Sequence, residues 1–252
     1  MAKSDGNAAK YVYGVVRARR GSRSKQKGIN DEPVRVVAKE GLGALTSDVP
    51  DGPLEAGRDE LLTHSRVLEQ ALETGVVLPM RFGVVMPSEG AVRDELLAAH
   101  REELQAQLEE MDGKVELNVK GIYEEQAILR EVLEENSEIA KLREFLHGKP
   151  DDATYYERIR LGELVSESLT MKRAGDEREI VDRLLPHALS VEVGQPVHER
   201  MAVNASFLVE RGRLDDFDGA VDQLGAEQAG RIRFKYTGPL PPHSFVELAM
   251  GA

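Results

Sequence analysis

The residues best able to do chemistry are the histidines, serines and carboxylates, and their spacing forms no catalytic or metal-binding pattern. The six histidines are His64, His100, His147, His187, His198 and His243. None sits four residues from another or in an H-E-x-x-H run, the spacings that put two imidazoles on one metal. Ser206 and Ser244 lack the glycine-flanked elbow that exposes a nucleophilic hydroxyl. Gly41-Leu42-Gly43 has no third glycine or lysine at the distance a phosphate-cradling loop needs, so it reads as a hairpin turn. The chain has no cysteine, which excludes disulfides, thiolate nucleophiles and cysteine metal sites. Carboxylates are abundant but fall at solvent-face helical spacings. The expectation is a protein that is not an enzyme and has no cofactor or metal.

Two segments are apolar, rigid and unusual instead. Val77 to Gly83 combines Pro79, Met80, Arg81 and Phe82; Tyr236 to Phe245 carries Pro239, Pro241 and Pro242 between aromatic ends. Prolines hold a backbone extended and lower the entropy cost of presenting it. Arg81, Phe82, Tyr236, Pro239 and Phe245 are therefore the candidate partner-binding residues.

The elements that must position them follow from hydrophobic periodicity. Tyr11 to Val16 reads as a strand, followed by a loop from Arg17 to Glu32 that holds Arg17, Arg19, Arg20, Arg23, Lys25 and Lys27. Val34 to Ala38 and Leu42 to Val49 read as strands turned at Glu40-Gly41, and Pro50 to Gly57 as a loop. Leu61, Ser65, Leu68 and Leu72 share a helical face that ends at Gly75. Val76 to Met86 is extended, with Pro79 marking an edge or a bulge. Ser88 is placed to cap a helix lined by Leu97, His100, Leu104, Leu108 and Met111, with His100 expected in the core. Asp112-Gly113 marks a turn and the expected domain boundary.

Beyond it, Val115, Leu117 and Val119 alternate with polar residues as in a strand with one buried face. A helical region spans Tyr123 to Leu146. A second helix carries Tyr155, Ile159, Gly162, Val165 and Leu169 on one stripe, with Gly162 suited to close helix approach. A third is expected to start near Asp176, where Asp176 and Glu179 match a capping box. Leu189 to Val193, the alternating run Val203 to Val209, a helix from Leu214 to Gln228 and the strand Ile232 to Tyr236 complete the pattern. This gives an α+β protein of two domains, residues 1–111 and 112–252, the second a ferredoxin-like antiparallel sheet with added helices.

The net charge of −12 over 252 residues argues against nucleic acid and anionic lipid as partners. The first ten residues lack the apolar core of a signal peptide, and no stretch reaches the ~20 apolar residues that span a bilayer. A cytoplasmic location is expected.

Several segments resemble the gas vesicle protein F/L family. They are His64-Ser65-Arg66-Val67-Leu68-Glu69 followed by Val77 to Gly83, Lys114 to Lys120, Asn204 to Val209, and Tyr236 to Val246. The resemblance covers about Tyr11 to Leu248 and implies a gas vesicle location with no transferable catalytic residues. It further implies an accessory or minor structural protein that binds the major shell protein, limits its aggregation and assists vesicle nucleation. Other accessory gas vesicle proteins are implied as partners. The alternative reading is a small-molecule-sensing ferredoxin-like regulatory module, which rests on fold analogy.

Overall fold

The computed structural model describes residues 8–18, 26–49, 57–150 and 153–247. Arg19, Arg20, Arg23 and Lys25 of the basic loop, and residues 50–56 of the next loop, lie outside the described residues. The chain divides into two compact units, Met1–Glu116 with Gly238–Ala252, and Leu117–Thr237. The turn at Asp112-Gly113, read above as the boundary, thus lies inside the first unit, and the chain returns to that unit after residue 237.

In the first unit, β1 (Lys10–Arg17) is central. It pairs antiparallel with β3 (Leu42–Asp48), which pairs with β2 (Arg35–Lys39). The β2–β3 register places Lys39 opposite Leu42, leaving Glu40 and Gly41 as a two-residue loop. Both have positive φ, 50° and 87°, the geometry whose twist matches the flanking strands. On its other side β1 pairs with two short strands, β4 (Val77–Pro79) and β5 (Val85–Met86). Pro79 therefore lies on an edge, as its missing N–H requires.

Helix α1 (Arg58–Thr74) buries His64, Val67, Leu68 and Leu72 against this sheet. The expected stripe through Leu61 and Ser65 is rotated: Leu61 is 47% exposed, and His64 takes the inward position. Gly14 lets the layers close, since a Cβ there would stand 2.6 Å from the Leu78 carbonyl oxygen and 2.9 Å from a Leu68 methyl. Ser88 caps the next helical stretch by accepting the Ala91 N–H at 3.1 Å. That stretch comprises α2 (Glu89–Ala91), a π-helical segment (Val92–Ala98) and α3 (Arg101–Glu110). Leu97, Leu104, Leu108 and Met111 are buried as expected, but His100 is only half-buried and faces Glu103 at 3.4 Å.

The second unit is built on β6 (Lys114–Tyr123), α4 (Glu125–Glu135), α5 (Ser137–Leu146), α6 (Tyr155–Leu184), β7 (Ser190–Val193), β8 (Met201–Glu210), α7 (Leu214–Glu227) and β9 (Ile232–Leu240). Strands β6 and β9 each run across the division between the units. The sheet order β7-β8-β6-β9 is the arrangement of a ferredoxin-like βαββαβ unit, with three helices where that unit has its first. The α+β reading with an antiparallel sheet holds.

The helices differ from the expected pattern in three ways. The region after Tyr123 breaks at Asn136, whose side chain accepts the Glu138 and Ile139 N–H groups at 3.1 and 3.3 Å and caps α5. The two helices expected on either side of Asp176 are one helix of 30 residues. Its core side is Leu164, Ile180 and Leu184, while Tyr155 and Ile159 are 62% and 44% exposed, and a Cβ on Gly162 would meet nothing within 4 Å.

Asp176 does not cap a helix because Arg231 claims it. Arg231 donates to both Asp176 oxygens (3.0 and 2.9 Å) and to Glu131 (2.7 and 3.1 Å). Lys172 adds a contact to Glu131 at 3.0 Å, and Tyr123 donates its hydroxyl to Asp176. Burial pushes the Tyr123 hydroxyl well above its ordinary value, and the Asp176 charge adds to that. Burial alone would raise the Glu131 carboxyl, but hydrogen bonds from Arg231 and Lys172 hold it below the usual range.

Candidate functional site

The segment between β4 and β5 leaves the sheet just where β1 has a register shift between Val12 and Gly14. Met80 N–H donates to Tyr13 O at 2.8 Å, and Val12 N–H donates to Val84 O at 2.9 Å, so the intervening turn is pinned at both ends. Within it Arg81 is exposed, Phe82 half-buried and Met80 buried.

Beneath the turn lies a buried polar relay. Tyr11 is fully buried, and its hydroxyl accepts the Gly83 N–H at 3.0 Å. That hydroxyl lies 2.9 Å from His64 Nδ1, and His64 Nε2 lies 3.2 Å from Met80 O. A carbonyl can only accept, so Nε2 carries the proton, and Nδ1 accepts from Tyr11. The neutral imidazole and the Tyr11 hydroxyl together tie strand β1 to both sides of the turn. Burial pushes His64 down to about 4 and Tyr11 up to about 12, which keeps both uncharged near neutral pH.

Phe82 packs on this relay, with its ring centroid 5.9 Å from that of Tyr11 and 5.7 Å from that of His64. Tyr13 stacks on His64 at 5.7 Å and is anchored by Ser47 Oγ (2.9 Å) and by the Ile29 N–H (2.8 Å). The product of this arrangement is a rigid turn that holds a guanidinium and part of an aromatic ring at the surface.

The C-terminal segment belongs to the same unit. Pro241 and Pro242 are buried, Phe245 is half-buried and Pro239 is exposed. Glu116, 5% exposed, accepts from Ser244 twice, from the N–H at 2.8 Å and from the hydroxyl at 2.9 Å. Gln107 donates to Glu247 O at 2.7 Å. Of the five candidate contact residues, Arg81, Phe82, Pro239 and Phe245 lie in the first unit. Tyr236 lies in the second, where its hydroxyl donates to Asp218 at 2.6 Å and its ring stacks 6.1 Å from Phe217. That packing anchors α7 on β9.

Sequence reasoning missed two features. The supporting histidine is His64, signalled by its place three and four residues before Val67 and Leu68 on α1. The exposure of the first turns of α6 is the other: Tyr155, Tyr156 and Ile159 are 62, 80 and 44% exposed, and the two tyrosine rings meet edge to face at 5.6 Å. The adjacent tyrosines were the available signal, because neighbours on a helix point about 100° apart and cannot both enter one core. Among the described residues no group of histidine, aspartate and glutamate side chains could hold a metal ion. No helix among them is long and apolar enough to cross a membrane.

Known proteins share this whole architecture. Residues 9–247 match the family model described as gas vesicle synthesis protein GvpL/GvpF. Gas vesicle protein F of Streptomyces sp. (strain CB03234) is 39% identical over 94% of this chain and 99% of its own length. Gas vesicle protein F of Dolichospermum flosaquae is 26% identical over 94% and 97%. The crystal structure of the gas vesicle protein GvpF from Anabaena sp. PCC7120 superposes with a TM-score of 0.81 at 25% identity, covering 96% of this chain and 99% of that one. None of these names denotes an enzyme. With the match running through the pinned turn, both sheets and the C-terminal segment, the chain belongs to the gas vesicle GvpL/GvpF family, and its role is in gas vesicles.

Proposed function

We propose that this protein is an assembly factor that binds the major gas vesicle shell protein, limits its aggregation and assists vesicle nucleation alongside other accessory gas vesicle proteins. The observation that carries the reading is the pinned turn, which holds Arg81 and Phe82 at the surface on a buried relay. A shell subunit must expose apolar surface before it polymerises. An acidic protein with preformed contact groups covers such surface at low entropic cost, and its net charge of −12 keeps the complex dispersed. Arg81, Phe82, Pro239 and Phe245 are the proposed contacts in the first unit, and Tyr236 in the second.

Co-purification of the tagged protein with the shell protein tests this, with an acidic protein of similar size as control. Specific capture that weakens in a folded Arg81→Ala, Phe82→Ala variant supports the reading. Absence of capture with both proteins folded removes it. The sensor alternative would use the groove of about 580 Å³ in the second unit lined by Tyr123, Ile128, Leu129, Val165, Leu169 and His198. A small ligand that raises the melting temperature would favour it.

A further inference from the structure

After β9 the chain returns to the first unit as a segment without a main-chain anchor. Residues 241–247 form neither strand nor helix. The segment holds its own shape instead. Pro241 and Pro242 restrict its backbone, the His243 N–H donates to Pro241 O at 2.8 Å, and the Phe245 N–H donates to Pro242 O at 3.2 Å. Among the described residues, no main-chain hydrogen bond joins residues 241–247 to the rest of the unit. Side chains grip it: Glu116 takes Ser244, and Gln107 takes the Glu247 carbonyl.

The seat fits this segment and is still incompletely satisfied. Both Glu116 oxygens accept from Ser244, a neutral residue, although the glutamate is only 5% exposed. Closing the segment over Glu116 therefore takes a carboxylate out of water and returns neutral donors. The Gln107 amide donates from Nε2 to Glu103 Oε1 at 3.3 Å and to Glu247 O at 2.7 Å, while its own Oε1 is buried without a hydrogen-bond partner. A buried acceptor left unmade is destabilising, and lifting Glu247 away frees the amide to turn toward water. These terms offset the burial of Pro241 and Pro242. Strand β1 is held quite differently, with main-chain ladders to β3 on one side and to β4 and β5 on the other. Local opening starts where such ladders are missing.

We infer that residues 241–247 are a strap that lifts from its seat while the rest of the first unit stays folded, and that the seat is a peptide site closed by this strap. The occupant seen in place sets the ligand class: an extended, proline-bearing segment that presents an N–H and a hydroxyl to Glu116 and a carbonyl to Gln107. A chain of that chemistry from another molecule enters only while the strap is open, so the strap is an autoinhibitory contact. This regulation is independent of what the pinned turn binds.

Two measurements on the full-length protein test this. The first is amide hydrogen exchange, followed by NMR at several low urea concentrations. The Ser244 N–H should exchange through an opening that urea leaves unchanged, with protection about tenfold or more below that of the Val12 and Met80 N–H groups, whose exchange urea should accelerate. The second is binding of a dye-labelled synthetic peptide with the sequence of residues 238–247, followed by fluorescence anisotropy up to about 1 mM protein. Ser244→Ala removes the strap's hydroxyl donor and leaves the seat intact. This host should bind the peptide about fivefold or more tighter than the wild type does, because its own strap is open more often. Adding Glu116→Ala should abolish the gain. Gln107→Ala, which releases Glu247, is the second host should Ser244→Ala fail to fold by circular dichroism.

Exchange at Ser244 in step with Val12 and Met80 overturns the strap, because the segment then opens only when the unit unfolds. Local exchange with no peptide bound by any host overturns the peptide site. Equal affinity of the wild type and the weakened-strap host, or affinity undiminished by Glu116→Ala, puts the peptide elsewhere and overturns it as well. Local exchange at Ser244, with peptide binding that tightens as the strap is weakened and is lost with Glu116, supports both the strap and the site it closes.

Discussion

Acidification should loosen the first unit through a single residue, His64. Its imidazole is 4% exposed, accepts from Tyr11 at Nδ1 and donates to Met80 O from Nε2. Both positions suit the neutral ring, and protonation would set an Nδ1–H against a hydroxyl that already accepts from Gly83 while placing a charge in the core. The folded state therefore holds the pKa at about 4, against 6.5 for an ordinary histidine. A pKa lowered by folding gives stability that is complete above pH 6.5 and is lost as pH falls from 6.5 toward 4. At 1.36 kcal/mol per unit, the loss is about 2 kcal/mol at pH 5 and about 3 kcal/mol below pH 4. With a urea slope of about 3 kcal/mol/M, the midpoint falls by about 0.7 M between pH 7.5 and pH 5. Urea titrations followed by circular dichroism at the two pH values measure this. The companion variant His64→Gln keeps a donor and an acceptor but does not titrate, so the difference between the two proteins isolates His64 from other groups. Equal pH dependence in wild type and variant would refute the reasoning.

Two further outcomes follow from contacts described above. Glu116→Ala removes the acceptor of two Ser244 bonds and should cost about 1–3 kcal/mol, with faster protease cleavage within residues 241–247; unchanged cleavage would show that the buried prolines hold the segment alone. Arg231→Met leaves Asp176 and Glu131 without their shared guanidinium and should cost about 3 kcal/mol or more, read as a lower melting temperature. Adding Asp176→Asn and Glu131→Gln should recover part of that loss, and no recovery would show that the cost comes from lost packing.

Much of the fold was legible because local chemistry agreed with the final environment. Glu40-Gly41 turns a hairpin wherever two strands flank it, and the alternation through Val115, Leu117 and Val119 survives any topology with one buried face. Ser88 caps its helix through a bond only three residues long. The misread features depended on distant residues. Asp176 with Glu179 matches a capping box, and only Arg231, 55 residues downstream, decides that Asp176 faces inward within a longer helix. Asn136 sits at helical spacing among leucines, yet its side chain competes for backbone N–H groups and breaks the helix. Tyr155 and Ile159 fit a core stripe by spacing, but the buried side of α6 is set by Leu164 and Ile180. His100 and His64 both lie on apolar stripes, and only His64 has a tyrosine hydroxyl and a carbonyl to satisfy it. The Val77–Gly83 turn was visible as a motif. The edge position of β7 was not, because which strands lie at an edge is a property of the sheet order.

The bond between Glu116 and Ser244 also bears on the order of events during translation. The two residues are 128 positions apart, and the whole second unit lies between them in the chain. At about 5–20 residues per second, Ser244 is added roughly 6–25 seconds after Glu116. During that interval the second unit is made in full before the Glu116 carboxylate can meet Ser244. The nascent chain thus acquires the ferredoxin-like sheet's last strand first, and the first unit receives its closing segment afterward.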